Sequence, residues 1–250
     1  MSIRTIADKL LGGKGLDKYP LYRTLRRIFY SIAYPQKHTI SGITIHESPV
    51  DGINFSEAYQ GSVLDFMRRE IKEGDIVADV GAHVGYFSII ASRLVGKSGK
   101  VYAFEPDLDN IKYLKKNLRE NGAGNVSVVP LAVSDNSGEA AWYSNNAHSS
   151  LGFSRKEGGI SPKMVKTTTL DDFFTEEKPT FIKLNICGSE EKAMQGAART
   201  LKAFPVITSI FRPDLFQKTG GSADAFIHHA ETSGYATHWL DNSNVAFRKK

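Results

Sequence analysis

The sequence contains one cysteine, Cys187, among its 250 residues. A single cysteine cannot form an internal disulfide, and it excludes a zinc site built from several thiolates. No apolar run reaches the roughly 18 residues that a membrane-spanning helix needs. The first residues also lack the apolar stretch and small-residue cleavage site of a secretory signal. These absences lead us to expect a protein of a reducing compartment, the cytoplasm.

Charge is unevenly distributed along the chain. The formal net charge is +5, and residues 1–37 hold eight Lys or Arg against Asp8 and Asp17, a sum of +6, so the remainder sums to −1. The basic character therefore belongs to the N-terminal segment. The rest of the chain lacks the excess of positive charge that is typical of a nucleic-acid groove, so we expect no nucleic-acid partner.

Apolar residues between positions 21 and 34 recur at helical spacing, and three arginines fall off that stripe. The apolar positions are Leu21, Leu25, Ile28, Phe29 and Ile32, and the arginines are Arg23, Arg26 and Arg27. Such a helix either packs on the main domain or contacts anionic lipid or a protein partner, and the sequence leaves both open. We interpret residues 1–50, which include a predicted hairpin at 39–46, as a basic extension and residues 51–250 as the main domain.

Strand and helix patterns alternate through the main domain. The predicted strands are 75–80, 100–104, 125–133, 139–143, 165–168, 179–184, 205–210, 236–240 and 244–247. The predicted helices are 55–71, 85–95, one from 108, 189–203 and one from 222. This alternation predicts an α/β fold, with a mostly parallel sheet covered by helices on both faces. The closing pair of strands is a hairpin, so one of them must be antiparallel.

A glycine turn follows the first of these strands. Asp79, Gly81 and Gly85 form the pattern Asp-x-Gly-x-x-x-Gly, in which the glycines let the backbone approach a ligand. A carboxylate at position 79 repels phosphate but suits an ammonium or a hydroxyl. Twenty residues after Gly85, Glu105 ends the next strand, where it can bind a ribose diol. We therefore expect Asp79 and Glu105 to converge on one phosphate-free, cationic nucleoside. The alternative is an ordinary α/β turn with solvated acids.

Six short motifs occur in an order that is typical of one enzyme family. They are DVGAHVGYFS (79–88), FEPD (104–107), LAVSDNSG (131–138), SSL (149–151), TTLDDFF (168–174) and FIKLNICGSE (181–190). Over about residues 50–249 the chain resembles the FkbM family of class I methyltransferases. The resemblance implies a Rossmann-like, seven-stranded, mostly parallel sheet whose last strand is antiparallel. It also implies S-adenosylmethionine as cofactor and O-methylation of a hydroxyl, often on a sugar, a glycan or a small metabolite.

The resemblance also implies a set of cofactor-binding residues. They are Asp79, Gly81, Gly85, Tyr86, Glu105, Pro106, Ala132, Val133 and Asp135. The glycine turn would lie under the methionine part of the cofactor, and Glu105 would hold the ribose hydroxyls. Ala132 or Val133 would contact adenine through the backbone. For Asp135, turn formation with residues 136–138 explains the residue equally well.

The acidic motif of the family is missing from this chain. The resemblance predicts Asp-x-Glu-Gly after the fourth strand of the sheet, where the chain has Asn185, Ile186, Cys187 and Gly188, and an acid near the end of the next strand, where 206–211 has none. An alcohol needs a base or a metal to lose its proton at neutral pH. Asn185 can orient a hydroxyl but cannot take its proton. A lone thiol without acidic neighbours is a poor metal site, so we expect no metal.

Few residues remain as candidates for catalysis beside Asn185. Lys183 matches a lysine of the family motif, although a snorkelling surface lysine is the alternative. His148 lies in a polar loop, 145–159, that can cover the cofactor, and its side chain has a suitable pKa; the alternative is an exposed loop histidine. We expect His83 to shape the glycine turn and Glu190 to support its own helix. Two functions stay open: an active O-methyltransferase, or an inactive relative that keeps the nucleoside pocket as a binding or scaffold protein.

Overall fold

A computed structural model describes residues 37–46, 61–143, 150–151 and 162–250, together with positions 21, 24, 25 and 28. The strands are β1 (Lys37–Ile40), β2 (Ile43–His46), β3 (Ile76–Val80), β4 (Lys100–Phe104), β5 (Val126–Val129), β6 (Ala132–Val133), β7 (Gly138–Tyr143), β8 (Ser150–Leu151), β9 (Lys163–Thr168), β10 (Phe181–Leu184), β11 (Val206–Ile210), β12 (Tyr235–Asp241) and β13 (Asn244–Lys249). The helices are α1 (Gly61–Glu70), α2 (Tyr86–Val95), α3 (Leu108–Glu120), α4 (Leu170–Phe173), α5 (Glu190–Gln195), α6 (Ala198–Leu201), α7 (Pro213–Lys218) and α8 (Ala223–Thr232).

Seven strands form the main sheet in the order β12-β13-β11-β10-β3-β4-β5. The last strand, β13, is antiparallel to both of its neighbours, and the other pairings are parallel. The central strands β3 and β10 are almost wholly buried, as strands covered on both faces must be. Helices α1, α2 and α3 share one apolar core with β3 and β4, and a second core joins α5, α7 and α8 to the sheet. The predicted fold class is confirmed.

The parallel strands of the main sheet all end at one edge, which we call the carboxyl edge. Gly81 follows β3, Glu105 follows β4, Asn185 follows β10 and Phe211 follows β11. Open α/β sheets bind their ligands in the crevice outside the carboxyl ends of the strands. The fold therefore places the motifs singled out in the sequence along one edge.

The hairpin of β1 and β2 packs into the core of the main domain. Ile40, Ile43 and Ile45 are buried among residues of α1 and α2. The side-chain amides of Asn117 and Asn121 in α3 bond the backbone of β2 at 2.7–3.1 Å. A boundary at residue 50 would divide the hairpin from the core that buries it. We therefore propose that the main domain begins at the hairpin and that the extension comprises residues 1–36.

Several predicted elements differ from those in the structure. The strand predicted at 125–133 is two strands, β5 and β6, which Pro130 separates and which belong to different sheets. The helix predicted at 189–203 is α5 and α6, interrupted at Gly196, where a Cβ would lie 2.3 Å from the Ser134 carbonyl oxygen. Helix α7 was not predicted, nor was the second sheet of order β6-β9-β7-β8. Residues 55–60 of the first predicted helix, and all of the polar loop 145–159 except β8, lie outside the described residues.

The described part of the N-terminal stripe is helical and exposed. Leu21, Leu25 and Ile28 have 72%, 56% and 52% of their surface exposed. These three side chains are therefore largely open to solvent, while Phe29 and Ile32 lie outside the described residues. Within the described ranges, the structure contains no helix with the length and apolar composition of a membrane span.

Candidate active site

The glycine turn connects β3 to α2 and is held by the protein itself. The Gly81 backbone N–H donates to the Phe104 carbonyl oxygen at 3.0 Å. Both glycines have positive φ, +81° at Gly81 and +93° at Gly85, and a Cβ would lie 2.0 Å from the Asn185 carbonyl oxygen or 2.5 Å from Leu114 Cδ1. Only glycine fits either position. From the sequence we expected the glycines to let the backbone approach a ligand. The structure explains them by the packing of the turn against α3 and against the loop that follows β10.

Asp79 lies beneath this turn in a buried ion pair. One carboxylate oxygen is 2.7 Å from Lys183 Nζ, and the other accepts a hydrogen bond from the Ser88 hydroxyl at 2.6 Å. Asp79 and Lys183 are both almost fully buried. The ammonium and hydroxyl that we assigned to a ligand are thus supplied by the chain. This corrects the expectation that Asp79 and Glu105 converge on one ligand, because Asp79 faces Lys183.

Lys183 is consequently a buried lysine and not a snorkelling surface residue. Neighbouring strands place it opposite Asp79 in the pairing of β10 with β3. Its ammonium also donates to the Gly81 carbonyl oxygen at 3.3 Å and lies 5.1 Å from the centre of the Phe87 ring. An ammonium that donates to a carboxylate has no lone pair with which to take a proton. We therefore assign Lys183 to holding the turn and withdraw it as a candidate base.

Glu105 is a second buried carboxylate, and none of its hydrogen-bond partners in the described part of the chain is a cation. It accepts hydrogen bonds from the His83 backbone N–H at 2.9 Å, the Asp107 backbone N–H at 3.0 Å and the Asn110 side-chain amide at 3.2 Å. Burial nevertheless raises the pKa of Glu105 to about 7. These three donors do not offset desolvation, so the carboxylate gains from further O–H donors. A ribose diol supplies two, and the site therefore fits the ribose of a nucleoside.

His83 shapes the glycine turn, as the sequence suggested. It adopts a left-handed backbone with φ of +51°. Burial, together with the positive charge of Lys183, lowers the pKa of the imidazole to about 4. The ring is therefore neutral at pH 7. With so low a pKa it is a weak base for an alcohol proton.

The loop after β10 replaces the acidic motif with a neutral and rigid one. Cys187 and Gly188 both have positive φ, +53° and +98°. The Glu190 carboxylate accepts from the backbone N–H groups of Ile186 and Gly188, each at 2.8 Å. Glu190 thus fixes the whole loop, a wider role than the support of its own helix. Burial raises the pKa of the Cys187 thiol to about 12, so Cys187 is not a nucleophile at neutral pH.

Asn185 lies next to the glycine turn. Its backbone N–H donates to the Val80 carbonyl oxygen at 3.0 Å, and its own carbonyl closes against Gly81. The residue is partly exposed at the carboxyl edge. The structure therefore brings Asn185, the turn and Glu105 to the same edge of the sheet. The described residues contain no group of three His, Cys, Asp or Glu arranged to hold a metal.

The remaining predicted residues are placed as follows. Ala132 and Val133 are buried and form β6, which pairs with β9. Asp135 is exposed and accepts from the Ser134 hydroxyl at 2.9 Å, which agrees with the turn alternative. Tyr86 is buried in the core at the start of α2, and Pro106 is half-buried beside Glu105. His148 lies outside the described residues.

Sequence reasoning missed several residues of the site. Ser88 binds Asp79 from the first turns of α2, and Asn110 reaches Glu105 from α3. Arg212 lies after β11 in a two-pronged ion pair with Asp214. Ser88 belongs to the glycine motif, and Asn110 lies five residues after Glu105, so spacing offered a signal for both. Arg212 has no such signal, because its position depends on how β11 pairs with β10.

The chain matches the model of the methyltransferase FkbM domain over residues 79–233. It belongs to this family. Among similar proteins, the hexuronic acid methyltransferase AglP of Haloferax volcanii is 25% identical over 146 residues, which cover 56% of this chain and 57% of that protein. A protein-L-isoaspartate O-methyltransferase of Methanosarcina mazei is 42% identical over 60 residues, 24% of this chain and 25% of that protein. Other matches, over 72 and 80 residues, are to a tRNA (guanine(37)-N(1))-methyltransferase of Dictyostelium discoideum and a ribosomal RNA large subunit methyltransferase E of Chromobacterium violaceum.

A solved structure supports the fold at low identity. The precorrin-6y C5,15-methyltransferase of Geobacter metallireducens superposes with a TM-score of 0.50 and 17% identity, covering 80% of this chain and 91% of that one. The chain spans between about a quarter and about half of the length of the first two curated relatives described above. The cofactor of the family is S-adenosylmethionine, and the surroundings of Glu105 fit its ribose.

Proposed function

We propose that this protein is an S-adenosylmethionine-dependent O-methyltransferase that acts on a hydroxyl of a sugar, a glycan or a small metabolite. The observation that carries the proposal is Glu105, a buried carboxylate that lacks sufficient donors at the end of β4, beside the glycine turn. Membership of the FkbM family gives the reaction class. The relative that methylates hexuronic acid favours a sugar acceptor.

The site residues divide into those that bind and those that position. Glu105 accepts hydrogen bonds from the ribose hydroxyls, and its contact with the His83 N–H couples that interaction to the turn. Asp79 and Lys183 hold the turn against β10 from below. Bound S-adenosylmethionine supplies an electrophilic methyl group on a positively charged sulfur. Asn185 orients the acceptor hydroxyl at the carboxyl edge, so that proximity and alignment provide most of the rate enhancement.

The proton of the acceptor hydroxyl needs a destination as the new C–O bond forms. Lys183 is engaged with Asp79, and the Cys187 thiol keeps its proton because burial raises its pKa to about 12. His83 is a weak base because burial lowers its pKa to about 4. We therefore retain His148 as the proposed base. Histidine is the side chain that exchanges protons most readily near neutral pH.

A second candidate function is a non-catalytic protein that keeps the nucleoside site and serves as a binding or scaffold protein. The observation that favours it is the neutral loop after β10, in which Asn185 and Cys187 stand where the family pattern has acids. Glu190 holds this loop firmly, and Lys183 is committed to Asp79. A protein that binds a nucleoside without catalysis would keep the nucleoside site and lose the catalytic base, which is the combination that this second proposal assumes.

A nucleic-acid acceptor is a weaker proposal. The tRNA and rRNA methyltransferases among the relatives match over about a quarter to a third of this chain. Residues 38–250 sum to a formal charge of −1, whereas nucleic-acid binding draws most of its affinity from neutralised phosphates. We therefore propose a small or glycan acceptor.

Calorimetry and turnover together test the proposal. We expect the full chain to bind S-adenosylmethionine and to transfer its methyl group to one member of a panel of sugars and sugar alcohols. His148→Ala should lower kcat by about 10²-fold or more, which is typical of a lost general base. Glu105→Gln should weaken cofactor binding. It is the control which shows that the measured binding occurs at the site of Glu105.

The same assay separates the two candidates. Tight cofactor binding without turnover across the panel would contradict the enzyme and favour the binding protein. A gain of turnover in the Asn185→Asp, Cys187→Glu double variant would then show that only the acids were missing. Absence of cofactor binding by the wild-type chain would contradict both.

A further inference from the structure

An exposed tryptophan lies at the far end of the carboxyl edge. Strand β12 is antiparallel to β13, and β13 is antiparallel to β11, so β12 runs in the same direction as β11. The carboxyl end of β12 is therefore on the same edge as Asn185 and Phe211. Trp239 lies in that part of β12, where a register shift between Trp239 and Asp241 interrupts the pairing with β13. Irregularities of this kind often re-aim a side chain next to a site.

The indole ring of Trp239 is held in place but not covered. Its centre lies 4.8 Å from the centre of the Phe211 ring at an interplanar angle of 88°. Phe211 in turn packs against Phe216 of the core at 6.2 Å. Trp239 still exposes 55% of its surface. A fixed ring with an open face costs little side-chain entropy on binding.

Arg212 follows β11 and directly precedes α7, a helix that packs against the loop of Asn185, where a Cβ on Gly188 would lie 2.3 Å from the Leu215 carbonyl oxygen. Its Nε and Nη2 groups donate to the two oxygens of Asp214, both at 2.9 Å. A guanidinium has five N–H donors, so three remain for other partners. Asp214 thus orients a donor group beside the site.

The other exposed apolar residues argue against a protein partner here. Among the described residues, the large exposed hydrophobic side chains are Trp239, Leu21, Leu25, Ile28, Leu108 and Met164. None of the others lies on β12 or on the segment after β11. A lone aromatic ring does not form the contiguous apolar patch of a protein interface. An aromatic ring beside a guanidinium and a carboxylate is instead suited to a ligand with an apolar face and a polar rim.

We propose that Phe211, Arg212 and Trp239 form a subsite for a second sugar ring, so that the acceptor is an oligosaccharide. This rests on the proposed function, that a sugar hydroxyl is methylated near Asn185. Strand β12 is the third strand from β10, and at about 4.8 Å per strand the separation is roughly 14 Å. One pyranose ring does not span that distance, but an oligosaccharide of several rings does.

The chemistry of the subsite suits a pyranose. The C–H groups on one face of the ring carry partial positive charge, and the face of an indole ring is the negative part of its quadrupole. The sugar hydroxyls, or a carboxylate where the sugar is a uronic acid, accept from the outward N–H groups of Arg212. The two contacts together fix the glycan so that a ring farther along the same chain reaches Asn185.

Tryptophan fluorescence tests the subsite without any need for turnover. The chain has two tryptophans, Trp142 and Trp239, and Trp142 is buried. In a Trp142→Phe variant the emission reports on Trp239 alone. Titration with neutral and uronic mono-, di-, tri- and tetrasaccharides should shift that emission for the longer glycans and leave it unchanged for monosaccharides. No shift with any glycan overturns the inference.

Kinetics provide the second test. With the glycan that is methylated, Trp239→Ala should raise KM about tenfold and leave kcat nearly unchanged, because a stacking contact contributes about that much affinity. With the matching monosaccharide the same variant should have no effect. His238→Ala is the matched control, since His238 is the exposed preceding residue of β12 and faces the other side. An unchanged KM for the glycan contradicts the subsite and leaves the proposed function standing. A shift in Trp239 emission without turnover supports the subsite and contradicts the enzyme.

Discussion

Asp79 and Glu105 are both nearly fully buried, yet they have different electrostatic environments. Asp79 has the Lys183 ammonium and the Ser88 hydroxyl. Glu105 has three neutral donors, and burial raises its pKa to about 7. A buried carboxylate with a cation stabilises structure, whereas one without a cation is suited to a ligand that brings its own donors. This difference assigns Asp79 to the scaffold and Glu105 to the cofactor.

The raised pKa of Glu105 predicts a pH-dependent affinity for S-adenosylmethionine. Above a pH of about 7 the free protein holds an ionised carboxylate, which accepts strong hydrogen bonds from the ribose diol. Below that pH the carboxyl binds a proton that must leave before the diol is bound in the same way. We expect the Kd to rise as the pH falls below about 7, by up to tenfold per pH unit. Calorimetry over this range measures it.

Two variants provide the comparison for this prediction. Glu105→Gln should bind more weakly and lose the pH dependence, because no proton is exchanged at the site. Glu177→Gln, at a half-exposed carboxylate paired with Lys100 at the start of β4, should keep the wild-type profile. A wild-type Kd that stays flat through pH 7 would show that Glu105 does not contact the ligand.

The buried pair of Asp79 and Lys183 predicts a large loss of stability when one partner is removed. Lys183→Met leaves the Asp79 charge buried without a cation, which costs about 3–5 kcal/mol in the free energy of unfolding. The Asp79→Asn, Lys183→Met double variant should recover part of this loss, because no charge is then stranded. Urea denaturation of the wild type, Asp79→Asn, Lys183→Met and the double variant measures the coupling energy between the two side chains. Lys100→Met, which breaks the half-exposed pair with Glu177, should cost far less, because solvent screens that pair. Equal losses at positions 183 and 100 would contradict the assignment.

At the scale of elements, the turn between β3 and α2 is shaped by close backbone approach. Gly81→Ala would require φ of +81° and a Cβ at 2.0 Å from the Asn185 carbonyl oxygen, whereas Gly122→Ala would require φ of +66° with open space around the Cβ. We expect Gly122→Ala to cost about 1–2 kcal/mol from backbone strain alone and to lower Tm by a few degrees. Gly81→Ala should lower Tm several times further and weaken cofactor binding. Calorimetric melting of both variants measures the two Tm values. Equal losses of Tm would contradict the close approach at Gly81.

Local sequence patterns predicted most of the sheet but not its interruptions. Short segments rich in apolar residues identified β3, β4, β10 and β11, because these strands are buried over most of their length. The division between α5 and α6 could not be read locally, since it depends on the approach of the Ser134 carbonyl to Gly196. The division of β5 from β6 had a local signal in Pro130, which interrupts a strand.

In the site, too, the sequence identified features that depend on local patterns and missed those that depend on distant parts of the chain. Glu105 and the glycine turn were readable because a strand end and a motif lie within one stretch of chain. The pairing of Lys183 with Asp79 was not, because it arises from the register of β10 against β3 across 104 residues. The subsite at Phe211, Arg212 and Trp239 depends likewise on β12 returning beside β13.

At the scale of the whole molecule, the hairpin of β1 and β2 divides the chain into two parts of different character. The hairpin buries Ile40, Ile43 and Ile45 in the domain core, while Leu21, Leu25 and Ile28 before it are exposed. Removal of residues 1–36 should therefore leave thermal stability and cofactor binding unchanged. Removal of residues 1–50 should lower stability by several kcal/mol, because three buried isoleucines at about 1.5–3 kcal/mol each are lost. Equal stability of the two truncated proteins would contradict a domain that begins at the hairpin.

The exposed stripe and the charge of the N-terminal segment predict binding to anionic lipid. Residues 1–37 sum to +6, and the apolar stripe is offset from Arg23, Arg26 and Arg27, as in helices that lie in a membrane interface. We expect the full chain to sediment with vesicles that contain anionic lipid and not with neutral vesicles. Binding should weaken as salt shortens the screening length to below about 10 Å. The chain without residues 1–36 should stay in the supernatant while still binding S-adenosylmethionine. If it sediments as well as the full chain, lipid contact does not come from the N-terminal segment. Since the rest of the chain sums to −1, the attraction would then need a source other than net charge.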